Sequence, residues 1–326
     1  MRRDTRPAGR AGFTLVELLI VIAILALLAA LVAAGIGKVK DAQQARVTDQ
    51  TLLKLQLAVD QQWKVICDKC HDDRRSYTLP VKNPDFVSMV TICDGDVDRA
   101  ESLWMYLNLR RSMPHTFAEA RADIIIAGNG KSVTLNSAGA FKQIKDKSTA
   151  SGDAYTESAA LLYLILTQGG RGTSFPIDDA TQGAQTTIAF GPTLSLTAFR
   201  DSYGVPIAFR RFFQAPELDE SPYTQSPKWK DPLDPYGKLK EWNTKTRTDA
   251  ETVIFRSPAA PGGESATSFD GRNRVATVIS AGPDSRNLVD AKKTAAFTTG
   301  VTDGEETTVE DNAYGYRLTR QGNKGG

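Results

Sequence analysis

The residues Gly12-Phe13-Thr14-Leu15-Val16-Glu17 set a carboxylate inside an apolar run. Counting Phe13 as the first residue of that run, Glu17 is the fifth. A charged side chain in hydrocarbon costs roughly 2.5–3.5 kcal/mol even on the lenient insertion scale. A carboxylate kept there needs a partner, and a cut between Gly12 and Phe13 would create one, a new N-terminal amine. The plainer reading of Glu17 is a side chain that snorkels to the lipid headgroups from near the start of a helix.

A second constellation is Cys67-Asp68-Lys69-Cys70-His71, which has the form of a c-type haem attachment string. The same residues also allow a local disulfide, a bridge from either cysteine to Cys93, a zinc site with Cys93 and His71, or unpaired thiols. Against haem, the string falls near the end of a helix whose apolar stripe already has a packing role. No methionine is close by in sequence as a second axial ligand, and the only other histidine is His115. Gly128-Asn129-Gly130-Lys131-Ser132 is read as a hairpin turn, because a phosphate-binding loop needs glycine where Ile125 stands. There is no Gly-x-Ser-x-Gly nucleophile elbow. With only two histidines and no local signature around either, the chain is not expected to be an enzyme.

The elements that must position these groups begin with one long helix. The run from Phe13 to Ala34 has only Thr14 and Glu17 polar, and as a helix it spans about 33 Å, close to the ~30 Å hydrocarbon core. Four arginines and one acid precede it, a balance that keeps residues 1–12 on the cytoplasmic side and places the body of the chain outside. An ordinary secretory signal cut near Ala29–Gly35 would leave Glu17 unexplained. Gly35 and Gly37 are the expected points of bending or local melting. Beyond them Val39, Ala42, Ala45, Leu52, Leu55, Val59, Trp63 and Ile66 recur at mostly three- and four-residue steps, which predicts an amphipathic continuation to about Arg75.

Pro80 and Pro84 are expected to end the helical region. A short helix is then predicted over Asp98–Leu109 and a buried one over Tyr155–Leu166. Ile124–Ile126 and Val133–Leu135 flank the glycine-rich turn as a hairpin. Strands are predicted over Thr187–Phe190, Val205–Phe213, Thr252–Arg256, Val275–Ala281 and Ala313–Leu318. The proline-rich stretch Gln214–Thr248 reads as a long surface loop.

The composition, 41% hydrophobic and 24% charged over 326 residues, supports a globular body with a real core. Removing the leader's four Arg and one Asp from 40 basic and 38 acidic residues leaves 36 and 37, a formal charge of −1. A near-neutral body lacks the basic face that nucleic-acid binding needs. Three cysteines are too few for a disulfide-stapled scaffold.

The basic leader, Gly12, Phe13, Glu17 and the unbroken apolar helix together resemble the type IV prepilin signal shared by type IV pilins and type II secretion pseudopilins. Two further segments resemble the head of the major pseudopilin. Asp201-Ser202-Tyr203-Gly204-Val205-Pro206 is similar to its Asp-x-Trp-Gly-x-Pro turn. Ser280-Ala281-Gly282-Pro283-Asp284, with Asp311-Asn312 and Tyr314-Gly315-Tyr316, is similar to its closing segment. The resemblance is strongest over residues 9–40 and absent over 70–185, and the chain is roughly twice the length of a usual major pseudopilin.

The resemblance implies an α+β fold, a spine helix carrying a head with an antiparallel sheet. It divides the chain into a cleaved leader 1–12, a transmembrane half 13–34, an amphipathic half 35–75 and a head 76–326 containing the loop 214–248. It implies cleavage after Gly12, N-methylation of Phe13, and an inter-subunit pairing of Glu17 with the Phe13 amine. It also implies partners: a prepilin peptidase that methylates, an assembly platform of the inner membrane with its ATPase, and copies of this or related subunits. The location implied is a single-pass inner-membrane protein with a periplasmic head, then a periplasmic pseudopilus for type II secretion. By the same resemblance Asp284, Asp311 and Asn312 could ligate calcium, or they form a plain acidic loop, since Asn312 replaces the second acid of the pattern. The other functions considered are a minor or adhesive type IV pilin, and a membrane-anchored cytochrome using Cys67, Cys70 and His71.

Overall fold

The computed structural model describes residues 15–80, 82–147, 152–168, 183–214, 233–234, 238, 274–282 and 313–314. It is an α+β protein. The chain divides into two compact units, residues 1–46 and 47–326. Helix α1 runs Leu15–Ser76. Its helical backbone passes through Gly35 and Gly37, so the local melting expected there does not occur.

In the second unit α1 buries Leu52, Leu55, Ala58, Val59, Ile66 and Cys70, a set of helical period that lies on one face. The buried stripe starts at Thr48, not at Val39, and Val39, Ala42 and Ala45 are exposed. Gln56 lies on the buried side and pairs like a strand residue: its Nε2 donates to Ala276 O at 2.8 Å and its Oε1 accepts from Val278 N at 3.1 Å. Arg74 and Arg75 occupy the last turn, where cations suit the carbonyl end of the helix dipole.

Pro84 starts a helix instead of ending one. Helix α2 spans Pro84–Ile92, with Asn83 as N-cap accepting from Asp85 N at 3.1 Å. Proline suits the first helical turn because its missing N–H would have no partner there. Helix α3, Val97–Ser112, is capped by Asp96, whose side chain accepts from Arg99 N. It contributes Leu103, Trp104, Met105, Tyr106, Leu107 and Leu109 to the core, so burial extends around most of the helix. Helix α4, Phe117–Arg121, is capped by Thr116. Strands β1, Ile124–Gly128, and β2, Lys131–Leu135, pair antiparallel as predicted. The turn residues Asn129 and Gly130 have φ of 49° and 70°, the left-handed pair that an Asn-Gly hairpin turn uses.

Helix α5 is a single turn, Lys142–Lys145. Helix α6, Ala154–Gln168, is buried over most of its length. Strands β3, Gln185–Ala189, and β4, Ser195–Phe199, form a second antiparallel hairpin. The third sheet is antiparallel in the order β5-β6-β7: Ala208–Gln214, Arg274–Ser280 and Ala313–Tyr314. Within the expected surface loop 214–248, Leu233 and Asp234 are buried, 3% exposed each. Asp234 Oδ1 accepts from Ser102 Oγ at 3.1 Å, which ties this point to α3. The strand expected over Thr252–Arg256 and the part of Ala313–Leu318 beyond Tyr314 lie outside the described residues.

Candidate functional site

The N-terminal helix presents an apolar surface on all sides. Leu15 is 79% exposed and Leu25 is 58% exposed, and Leu18, Leu19, Ile20, Ile22, Ile24, Leu27 and Leu28 are at least half exposed. A helix that is apolar all round is made to be buried by lipid or by other helices. Among the described residues no helix is long and apolar enough to cross a membrane. Side chains at the start of α1 are described over Leu15–Ala30, sixteen residues, against the roughly 20 that a crossing needs. Glu17 lies within α1. It is the only charged residue from Leu15 to Gly37. Gly12 and Phe13 lie outside the described residues.

The second feature is the turn Asp201–Pro206, which joins β4 to β5. Asp201 Oδ1 accepts from Tyr203 N at 2.9 Å and from Val205 N at 2.8 Å. Its Oδ2 accepts from Ser280 Oγ at 2.7 Å. Gly204 has φ of 89°, a conformation that costs glycine little. The two head segments that resemble the major pseudopilin are thus in contact, 79 residues apart in sequence. Burial raises the Asp201 carboxyl above its ordinary value, against the hydrogen bonds from Ser280, Val205, Tyr203 and Gly204 that pull it down. Ser202 Oγ lies 2.7 Å from Thr48 Oγ1, so the turn also touches α1. The Tyr155 hydroxyl of α6 donates to Pro206 O at 2.6 Å, and burial pushes its ionisation well up.

The cysteines form no bridge. Cys67 is half-buried, and Cys70 and Cys93 are buried. Burial pushes the Cys67 thiol up to about 12, with Asp68 adding to it, and burial pushes Cys70 higher still. The thiolate is the metal ligand and the nucleophile, and burial disfavours it at Cys67 and Cys70. Cys70 Sγ is directed at Trp104 O in the core, and His71 Nδ1 is 2.6 Å from Glu101 Oε1. Attaching haem at this string would dismantle that packing. No group of His, Cys, Asp and Glu among the described residues is arranged to hold a metal ion. Asp284, Asp311 and Asn312 lie outside the described residues.

One buried ionic network has no local sequence signal. Glu119 of α4 takes a two-point contact from Arg211 of β5, with Nη1–Oε2 and Nη2–Oε1 both at 3.1 Å. Arg110 Nε of α3 is 3.4 Å from Oε1, and His115 Nδ1 is 3.0 Å from Oε2. Burial alone would raise the Glu119 carboxyl, but Arg211 and His115 hold it well below the usual carboxylate range. Burial lowers Arg110 from its ordinary value, Glu119 opposing and Arg211 adding to the shift. The network clamps α3, α4 and β5 together. Its chemistry is structural, since every carboxylate oxygen is already committed.

Residues 7–33 match the profile of a family described as the prokaryotic N-terminal methylation motif. The matched span holds Gly12, Phe13, Glu17 and most of the apolar run. It supports a type IV pilin-like protein, of a kind processed by a prepilin peptidase and assembled with pilin-like subunits. No curated protein and no solved structure matches the chain.

Proposed function

We propose that this chain is a structural subunit of a periplasmic pseudopilus that serves type II secretion. The observation that carries the reading is the methylation motif over residues 7–33, continued by α1, which carries Glu17. In this reading a prepilin peptidase cuts after Gly12 and methylates the Phe13 amine. The apolar part of α1 holds the unassembled subunit in the inner membrane, with the head in the periplasm. On assembly the exposed apolar surface of α1 is covered by neighbouring helices, and Glu17 of one subunit neutralises the Phe13 amine of the next. An amine partner offsets the cost of a carboxylate in that setting. An inner-membrane platform and its ATPase drive assembly, and the subunit itself has no catalytic role. The secretion branch is preferred to surface pili on the sequence resemblance of Asp201–Pro206 and Ser280–Asp284 to the major pseudopilin.

Glu17→Ala tests the pairing. Removing a charge from an apolar segment leaves membrane insertion intact. Incorporation into filaments should fall sharply, read as loss of crosslinked ladders in cells. Ladders of wild-type amount and register would rule out the inter-subunit role.

A further inference from the structure

The head carries a polar cleft that the assembly reading does not use. It has a volume of about 170 Å³ and lies between the end of α1, the start of α2, α3 and β2. Its floor is Trp104, whose Nε1 donates to Asp73 Oδ2 at 2.9 Å. Arg111 Nε donates to Asn136 O at 2.6 Å, and Asn108 Nδ2 donates to Trp104 O at 2.9 Å. These bonds fix the wall while leaving other polar groups turned to the cleft. Lys69 Nζ, Asn83 Nδ2, the Asp85 carboxylate, Asn108 Oδ1, the Thr134 hydroxyl and the Asn136 amide have no hydrogen bond or ion pair to another described side chain or backbone group. The cleft brings these six groups to one concave surface. Some surface charges of the head are paired, as Arg75 is with Asp72, Lys145 with Asp123 and Lys238 with Asp96.

From this arrangement we infer that the cleft binds a single neutral sugar unit. Its charges balance, with Lys69 and Arg111 against Asp73 and Asp85, so no net-charged ligand is favoured. Amides and hydroxyls both donate and accept, as adjacent sugar hydroxyls do, so each can meet a diol with two hydrogen bonds. The apolar lining is confined to Leu135 and Trp104, which gives an apolar ligand little to bury. The volume is below the roughly 300–1,000 Å³ of drug-sized sites, so the site takes one ring, such as the terminal unit of a glycan. Affinity is accordingly weak, in the millimolar range.

The test uses full-length protein in a sugar-free detergent and saturation-transfer NMR with the methyl glycosides of glucose, galactose and N-acetylglucosamine. At least one glycoside should receive saturation. Asp85→Ala and Asn136→Ala, both at exposed positions, should each weaken binding about three- to tenfold, the loss of one hydrogen bond. Two variants are used so that a folding defect in one leaves the other informative, with unchanged tryptophan fluorescence as the control. Absence of transfer from all three glycosides, or binding unaffected by both substitutions, overturns the assignment. So does displacement by glycine or glutamate, which would mark the cleft as a site for a zwitterion. The inference rests on the head alone, so its failure leaves the assembly reading standing, and the reverse also holds.

Discussion

Replacing Asp201 with alanine should unfold the head at a lower temperature by an amount the turn geometry predicts. The substitution removes the acceptor for Tyr203 N, Val205 N and Ser280 Oγ. Val205 and Ser280 are buried, so two donors are left without partners, while Tyr203 N is only half-buried and can reach water. A buried donor left unsatisfied costs about 1–3 kcal/mol, which gives roughly 2–6 kcal/mol for the pair. Burial also raises the Asp201 carboxyl, so removing its charge gives some of that back, and a net loss of about 3 kcal/mol is expected. In a domain of this size that lowers Tm by about 6–12 °C. Thermal unfolding followed by tryptophan fluorescence reads this, since Trp104 is buried in the same core. Ser280→Ala should be less costly. The double variant should be more stable than the sum of the two singles predicts, by about 1–2 kcal/mol, because both remove one shared bond. The pH dependence has a definite sign. A carboxyl raised in the folded state stabilises the fold most below its ordinary value of 3.8, and that contribution is lost as pH rises through the folded value. Asp201→Asn should therefore remove a decline in stability on the alkaline side of pH 4. An unchanged Tm in Asp201→Ala, or strictly additive losses in the double variant, would refute the reasoning.

Glu119→Gln leaves Arg211 and Arg110 buried without their carboxylate and should cost about 3–5 kcal/mol, measured by urea unfolding. Because the Glu119 carboxyl is held well below 4.5 in the folded state, its stabilisation is fully present above that pH and is lost as pH falls through the folded value. The wild type should lose stability in acid more steeply than the variant. The three cysteines should be unreactive to a thiol reagent at neutral pH in the native protein and should all titrate in denaturant. Recovery of fewer than three thiols under denaturing, non-reducing conditions would show that a bridge forms after all.

Much of the fold is legible in the sequence where a local rule is strong. The hairpin of β1 and β2 follows from Asn129-Gly130, whose left-handed turn few other residues tolerate, and from the alternation that buries Ile124 and Ile126 and leaves Ile125 exposed. Helices α3 and α6 follow from their apolar content. Helix α2 is not legible by the same reading, because Pro84 signals a stop and a start equally well and only the cap at Asn83 decides. Strand β4 has no clear alternation and is visible only once β3 pairs with it. Gln56 looks like a polar break in the stripe of α1, yet it is inward and bonded to β6, a contact 220 residues away. The clamp of Glu119 and Arg211 spans 92 residues, and no local pattern could have joined the two. At the candidate site Glu17 lies in helix α1, as the apolar run predicts. The link from Asp201 to Ser280 is different in kind: both ends were recognisable as segments, but their contact is a property of the fold.

Mass spectrometry of the intact protein, purified from its native host, tests the central claim most directly. The account predicts a chain that begins at Phe13 and carries one added methyl group on its amine. Processing by a prepilin peptidase is the step on which membrane storage, the pairing of Glu17 and filament assembly all depend. A mature chain that begins at Met1, or one cut after Ala34 as an ordinary secretory signal would be, would contradict it.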